Sequence, residues 1–408
     1  MTLVELIARS YYGKLLAFLA AWSGGDVASS EDALAEAFVK ALATWPRDGV
    51  PENPEAWLMR LAKNKLIDRY RHLKVVGDSE NEIELRETER RERITGETWP
   101  DERLKLLFVC AHPAIDRSMH TPLMLQTVLG IEAKKIASSF LVSPASMAKR
   151  LVRAKAKIKE ARIPFEVPSN EKLASRLDAV LEAIYAAYGV SWDLFQGEEA
   201  SIDSLSDESL YLSETLCQLS PNEPEALGLH ALILFCQARQ SSRRMASGAY
   251  VPLEKQDPNL WDHRMIQRAE DVLHSAAALN RLGRFQLEAA IQSAHVTRVK
   301  NGADNWASIV QLYDAIMSLC SSTGAQLARA SAILEAYGAA AAEAQLARLE
   351  SEQESTLRSY QPYWALKAEI QVRSGLSAEA KQSLRSAVGL SIDPGLRRYL
   401  LDKIAQLN

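Results

Sequence analysis

From Lys149 to Arg162 the chain carries seven basic residues, Lys149, Arg150, Arg153, Lys155, Lys157, Lys159 and Arg162, against one acid, Glu160. Cations at helical spacing neutralise phosphates. Those in the first turns of a helix entering a major groove also reach base edges. A second set, Arg60, Lys63, Lys65, Arg69, Arg71, His72 and Lys74, is interleaved with Trp57 and Asn64. That mixture suits melted DNA, whose bases stack on aromatic faces and whose phosphates need cations. Blander readings stand beside both: a basic helix end can simply complement its own dipole, and Trp57 can simply be core. Upstream, SSEDALAEAFVKALATW reads as an N-capped helix with Glu31, Asp32 and Glu36 in its first turns. An acidic, partly apolar helix suits protein docking. As a bare charge run it is a well-capped surface helix.

These side chains need helices to position them, and the patterning supplies little else. Apolar residues recur at three- and four-residue spacing, as in Leu34, Phe38, Leu42 and Trp45, and strand-like alternation is scarce. The expected fold class is all-α. A short helix from about Ala133 to Phe140, a turn at LVSP and a longer helix starting beside Pro144 form helix-turn-helix syntax. Ile136, Ala137 and Phe140 supply the apolar face of the first helix, and Met147, Leu151 and Ala154 seat the second. Ser146, Lys149, Arg150 and Arg153 then point at base edges and phosphates. TWPRDGVPENP, with three prolines and a glycine, reads as a stiff exposed loop.

Four segments follow: a helical block at 1–73, a linker at 74–100 crowded with both signs of charge, a compact block at 101–163 closed by PFEVP, and an extension at 164–408. The extension reads as successive helical hairpins broken at SPNEPEA, SGAYVPLEKQDPN, NRLGR, KNGADN and SGLSAEA. Its last hairpin places Trp364, Ala368, Gly375, Ala380, Leu384 and Ala387 where a tetratricopeptide repeat puts its large, small and turn residues. A tetratricopeptide-like bundle with irregular loops is expected.

Net charge is only −4, but the average hides a division. Residues 1–162 hold 26 Lys and Arg against 22 Asp and Glu, and the remainder 22 against 30. A basic front and an acidic back result. Cys110, Cys217, Cys236 and Cys320 form no CxxC pair, so all four read as buried thiols, with no metal or other cofactor expected. Cys110 and His112 point to different faces of a helix. No run reaches the roughly 18 apolar residues of a membrane span, and the N-terminus lacks signal-peptide grammar, so a cytoplasmic protein is expected. Nucleotide-binding glycine loops, HExxH and GxSxG are absent, and an enzyme is not expected.

SSEDALAEAFVKALATWP, then GVPENPEAWLMRLAKNKLIDRYR, a charged linker, DERLKLLFVCAHPAI and the helix-turn-helix, in this order, resemble the extracytoplasmic-function sigma factors. PFEVP followed by YVPLEKQDPNLWD, GRFQLEAAIQSAH and DNWASIVQLYDAIM resembles the subgroup with a long tetratricopeptide-like C-terminal extension. The resemblance implies two small helical sigma domains, the second a helix-turn-helix. It implies core RNA polymerase and promoter DNA as partners, and an extension open to a signalling protein or ligand. It places Asp32, Glu36, Phe38 and Trp45 on the helix that engages the polymerase clamp. It places Asp48, Asn53, Trp57, Asn64, Asp68, Arg69 and Arg71 at the upstream melting element, and Ser146, Lys149, Arg150 and Arg153 at the distal promoter element. Lys135 and Ala111 depart from the family, which carries an acid and often a second cysteine there. IYAAYGVSWD lacks the Asn-Glu-Gly stretch that the family implies. A one-component helix-turn-helix regulator with a sensor extension, and a repeat scaffold whose basic helices are incidental, are the rival readings.

Overall fold

A computed structural model describes residues 3–75, 101–140, 142–193, 199–245 and 247–407. Among them the fold is all-α, with one isolated bridge between Arg244 and Tyr250. The chain divides into two compact units. The first comprises 1–192 with 200–212, and the second 193–199 with 213–408.

In the first unit, α1 (Leu3–Trp22), α2 (Val27–Asp48) and α3 (Pro54–Val75) pack around Leu15, Leu16, Leu19, Leu34, Leu58, Met59 and Leu66. Asp26 starts α2, its carboxylate accepting from the Ser29 amide at 3.1 Å and hydroxyl at 2.8 Å. The helix therefore begins before SSED, because Asp26 behind two positive-φ glycines is already a strong cap. It also runs on through Pro46 to Asp48 and stops at Gly49 (φ 84°). A proline in the last turn forfeits one amide at an end open to water, so the expected loop shrinks to Gly49–Asn53. There Asn53 accepts from the Ala56 amide at 2.9 Å, and Pro54 opens α3.

The helices α4 (Arg103–Cys110), α5 (His120–Thr127), α6 (Ala133–Ser139) and α7 (Pro144–Glu160) form the second block of this unit. Phe108, Leu123, Met124, Ile136, Met147, Leu151 and Ile158 are its core. Ser143 caps α7 through the Ser146 amide at 3.2 Å, and Pro144 takes the first helical position. Phe140, expected on the apolar face, is 39% exposed because α6 ends at Ser139.

The two blocks meet in part through bare backbone. A β-carbon at Gly13 of α1 would run into the Val128 carbonyl oxygen, and one at Gly130 (φ +64°) would lie 3.3 Å from the Tyr12 ring. The helix α8 (Asn170–Asp193) sends the Arg176 guanidinium to the Phe108 carbonyl at 3.3 Å. The early part of α9 (Glu199–Leu219) supplies Glu208, which pairs with Arg103. Arg103 also holds Asp101 at 2.5 Å. Burial pushes the Asp101 carboxyl up, but the guanidinium more than offsets this and holds it low.

In the second unit, α10 (Pro224–Gln237) is apolar on every side and is covered by both α11 (His263–Ala278) and α12 (Arg284–Asn301). Gly228 allows that approach, since a β-carbon there would sit 2.5 Å from the Gln286 amide nitrogen. Glu225 accepts from the Phe285 and Gln286 amides at 2.9 and 3.2 Å, a carboxylate at the positive end of α12. Then α13 (Trp306–Leu319), α14 (Thr323–Tyr337), α15 (Ala339–Arg358), α16 (Gln361–Arg373), α17 (Ser377–Leu390) and α18 (Pro394–Gln406) each pack on the helix before. At the last hairpin Ala368, Ala380, Leu384 and Ala387 are buried, and Gly375 takes φ 76°. Of the four cysteines, Cys110 and Cys236 are buried, while Cys217 and Cys320 are half-exposed, correcting the expectation of four buried thiols.

Candidate functional site

On α7 the buried row is Met147, Leu151, Ala154 and Ile158. Opposite it Lys149, Arg150 and Arg153 are exposed, with Ser146 half-buried at the start. Three cations on one solvent face beside a capped turn can grip phosphates and donate to base edges. Two further lysines expected on that face lie elsewhere. Lys155 is buried, its side chain 7% exposed, and pairs with Glu31 of α2. The Tyr12 hydroxyl donates to the same carboxylate at 3.1 Å, and burial beside that charge raises the tyrosine well above its usual range. Lys159 reaches Asp26 at 2.7 Å. Burial pushes the Asp26 carboxyl up, yet Lys159 and the two Ser29 donors hold it low. Sequence could have found Lys155: it stands four residues after Leu151 and three before Ile158, on the apolar row.

On α2 and α3 the expected residues divide between surface and core. Asp32, Glu36, Asp48, Asn53, Asn64, Asp68, Arg69 and Arg71 are exposed. Trp45 is 5% exposed, and its ring centroid lies 5.3 Å from that of half-buried Trp57. Trp45 therefore fastens α2 to α3 and cannot itself face a partner. Phe38 is half-buried. The acidic and basic faces meet in two exposed pairs, Asp32 with Arg69 at 3.1 Å and Glu36 with Lys65 at 2.6 Å. Exposed pairs of this kind contribute little, because water screens both charges. They are cheap to exchange for contacts with another macromolecule. Lys63 stacks over Phe18 at 4.9 Å and Trp22 at 5.7 Å, so it belongs to the module's own packing.

Residues 7–75, the whole of this acidic and basic helical surface, match the model of sigma-70 region 2. The N-terminal block thus carries a sigma-70 region 2. Residues 176–277 match a family of unknown function, DUF6596, so the sigma region is followed by a second recognised segment of α8 to α11. An uncharacterised protein of Rhizobium meliloti (strain 1021) is 35% identical over 384 residues, covering 92% of this chain and 90% of the relative. The region 2 block and the segments behind it therefore recur together at nearly full length. No solved structure matches.

Among the described residues no group of His, Cys, Asp and Glu could hold a metal ion, and no helix is long and apolar enough to cross a membrane. The charged linker expected at 74–100 lies, from residue 76, outside the described residues.

Proposed function

We propose that the chain is an extracytoplasmic-function sigma factor that binds core RNA polymerase and directs promoter-specific initiation. The observation that carries this is the match of sigma-70 region 2 to the one surface where exposed acids and cations face each other across α2 and α3. In this reading Asp32, Glu36 and the exposed edge of Phe38 engage the polymerase clamp. Asp48, Asn53, Asn64, Asp68, Arg69 and Arg71 meet the upstream melting element, and the accessible part of Trp57 offers a stacking surface. Ser146, Lys149, Arg150 and Arg153 on α7 read the distal element as the second helix of a helix-turn-helix.

Two weak readers tethered in one chain and held by polymerase raise each other's effective concentration at a promoter. With few phosphate contacts and an acidic extension, the chain alone binds duplex poorly. Residues 1–73, 74–100, 101–163 and 164–408 act respectively as region 2, linker, region 4 and a tetratricopeptide-like regulatory extension that modulates activity in cis. The protein works in the cytoplasm without a cofactor and is not an enzyme.

In vitro transcription from genomic promoter fragments, with core RNA polymerase and the full chain, tests the reading. Specific transcripts that disappear with Lys149→Ala/Arg150→Ala/Arg153→Ala support it. Tight, polymerase-independent binding to a palindromic operator without transcripts would instead establish a one-component regulator.

A further inference from the structure

The second unit holds a cluster of cations that promoter recognition does not use. Arg239 follows α10 and is only 5% exposed. Its Nε donates to the Phe235 carbonyl at 3.3 Å, its Nη2 donates to the Gln292 side-chain oxygen, and its guanidinium lies 6.0 Å from the Trp261 ring centroid. Among the described residues no carboxylate lies within ion-pair distance of it. A buried charge without a counter-charge is strongly unfavourable, and burial normally comes with a partner.

His295 of α12 is within electrostatic reach of both Arg298 and Arg239, which add to burial in lowering its pKa. The Arg298 guanidinium stacks over Trp306 at 4.3 Å, and the His295 ring meets that indole edge-on at 5.5 Å. The carboxylate that Arg298 reaches is Glu254, exposed and at 3.4 Å. Among the described residues three buried atoms here have no hydrogen-bond partner: Nδ1 of His295, Nε of Arg298 and Oδ1 of Asn305. Asn305 is fixed by its Nδ2, which donates to the Ala294 carbonyl at 2.8 Å. The surrounding loop is equally fixed, for Trp261 Nε1 donates to Ser242 Oγ at 2.9 Å, which donates to Gln256 Oε1 at 3.1 Å. An apolar set would pack this volume without stranding polar atoms. The cluster instead combines two cations, an imidazole, one unused amide acceptor and two indole walls.

We propose that Arg239, His295, Arg298 and Asn305 form a binding site for a small organic anion, a carboxylate or phosphate bearing a hydroxyl or amino donor beside its charge. The anion supplies the counter-charge that Arg239 lacks and accepts from Arg298, and its donor satisfies the Asn305 oxygen. Trp306 and Trp261 wall the site. This site does not depend on the promoter reading, and its ligand would be the input of the extension.

The test uses the full chain, titrated with inorganic phosphate and glycerol phosphate in one arm and with glycolate, malate and citrate in the other. Potassium chloride at matched ionic strength is the control. Thermal unfolding and tryptophan emission are read. A saturable rise of a few degrees in the unfolding midpoint in one arm, with a change in emission, supports the site, and the responding arm identifies the anion class. Arg239→Gln should then weaken binding at least tenfold while leaving the ligand-free midpoint unchanged or higher, since an uncompensated charge is removed. Arg298→Gln should weaken binding similarly. If neither arm exceeds the chloride control, the cluster holds water only and the proposal fails. It fails equally if Arg239→Gln binds as tightly as the native chain. A ligand-free Arg239→Gln that melts far below the native chain or does not fold makes the guanidinium structural, and overturns the proposal as well.

Discussion

Removing the Glu31 carboxylate leaves the Lys155 ammonium, 7% exposed, without its partner between α2 and α7. Breaking a fully buried pair from one side costs about 3–5 kcal/mol. Glu31 is 23% exposed, so water reaches part of the vacated space and the expected cost of Glu31→Ala falls to about 2–3 kcal/mol. Lys155→Met removes the buried charge and keeps the volume. The carboxylate it leaves behind retains the Tyr12 hydroxyl and some water, so the cost should be about 1 kcal/mol. The double variant has no charge to strand and should cost less than the singles added together, a coupling of about 1–2 kcal/mol. For a unit of this size each kcal/mol moves the unfolding midpoint by about 2–4 °C. Thermal unfolding of the four proteins closes the cycle, and amide exchange in α2 and α7 should rise together in Glu31→Ala. Strictly additive single effects, or a Glu31→Ala midpoint within about 1 °C of native, would refute the claim that these charges hold the two blocks together.

Arg150→Ala and Arg153→Ala, both at exposed positions, should leave the unfolding midpoint nearly unchanged. Each should weaken promoter binding by the polymerase complex by about 1–3 kcal/mol if it reads a base, or lower the salt slope by about one if it holds a phosphate; binding across a salt series separates the two. His230 is 2% exposed and shares a hydrogen bond with Ser213 Oγ at 2.9 Å, and burial, helped by Arg268, lowers its pKa from 6.5 to about 4. The unfolded chain therefore binds the extra proton first, so this contribution is intact above pH 6.5 and is lost as pH falls from 6.5 towards 4, about 3 kcal/mol in all. Midpoints of His230→Gln between pH 7 and 4.5 should show a flatter slope than native, and an identical slope would exclude the effect. In native protein at pH 8, iodoacetamide should spare Cys110, which burial pushes up to about 12, while Cys320, half-exposed, reacts; peptide mapping distinguishes them.

The helical class and the exposed basic face of α7 were legible because both follow from period: Met147, Leu151 and Ala154 face in, and Lys149, Arg150 and Arg153 face out. Period also gave the last hairpin, where Ala380, Leu384 and Ala387 pack as their spacing predicts. What escaped depends on partners distant in sequence. Period alone puts Lys155 on the apolar row, but which group neutralises it stays hidden until Glu31, 124 residues away, is known to face it. Trp45 and Asp32 share one acidic helix, and only the packing of α3 decides that the tryptophan is core. Asp26 was passed over because Ser29 and Ser30 offer equally good capping chemistry, and the choice between neighbouring caps rests on backbone geometry set by the glycines before them. The cluster at Arg239 could not be read at all, because its members come from three stretches between 239 and 306 that only the fold gathers.

Gly13 and Gly130 give the first unit a property that concerns descent rather than chemistry. Where two surfaces meet through side chains, a change on one can be accommodated by a compensating change on the other, and the partners can diverge or be exchanged between lineages. Here the contact at Gly13 is made by hydrogen against a main-chain oxygen of residue 128, and neither party has a side chain left to adjust. A first block joined to a foreign second block whose backbone at 128 runs differently, or an allele with any other residue at 13, disturbs this docked arrangement. The two blocks are therefore inherited as one piece, and recombination within the first unit should be purged more strictly than recombination at its border with the second.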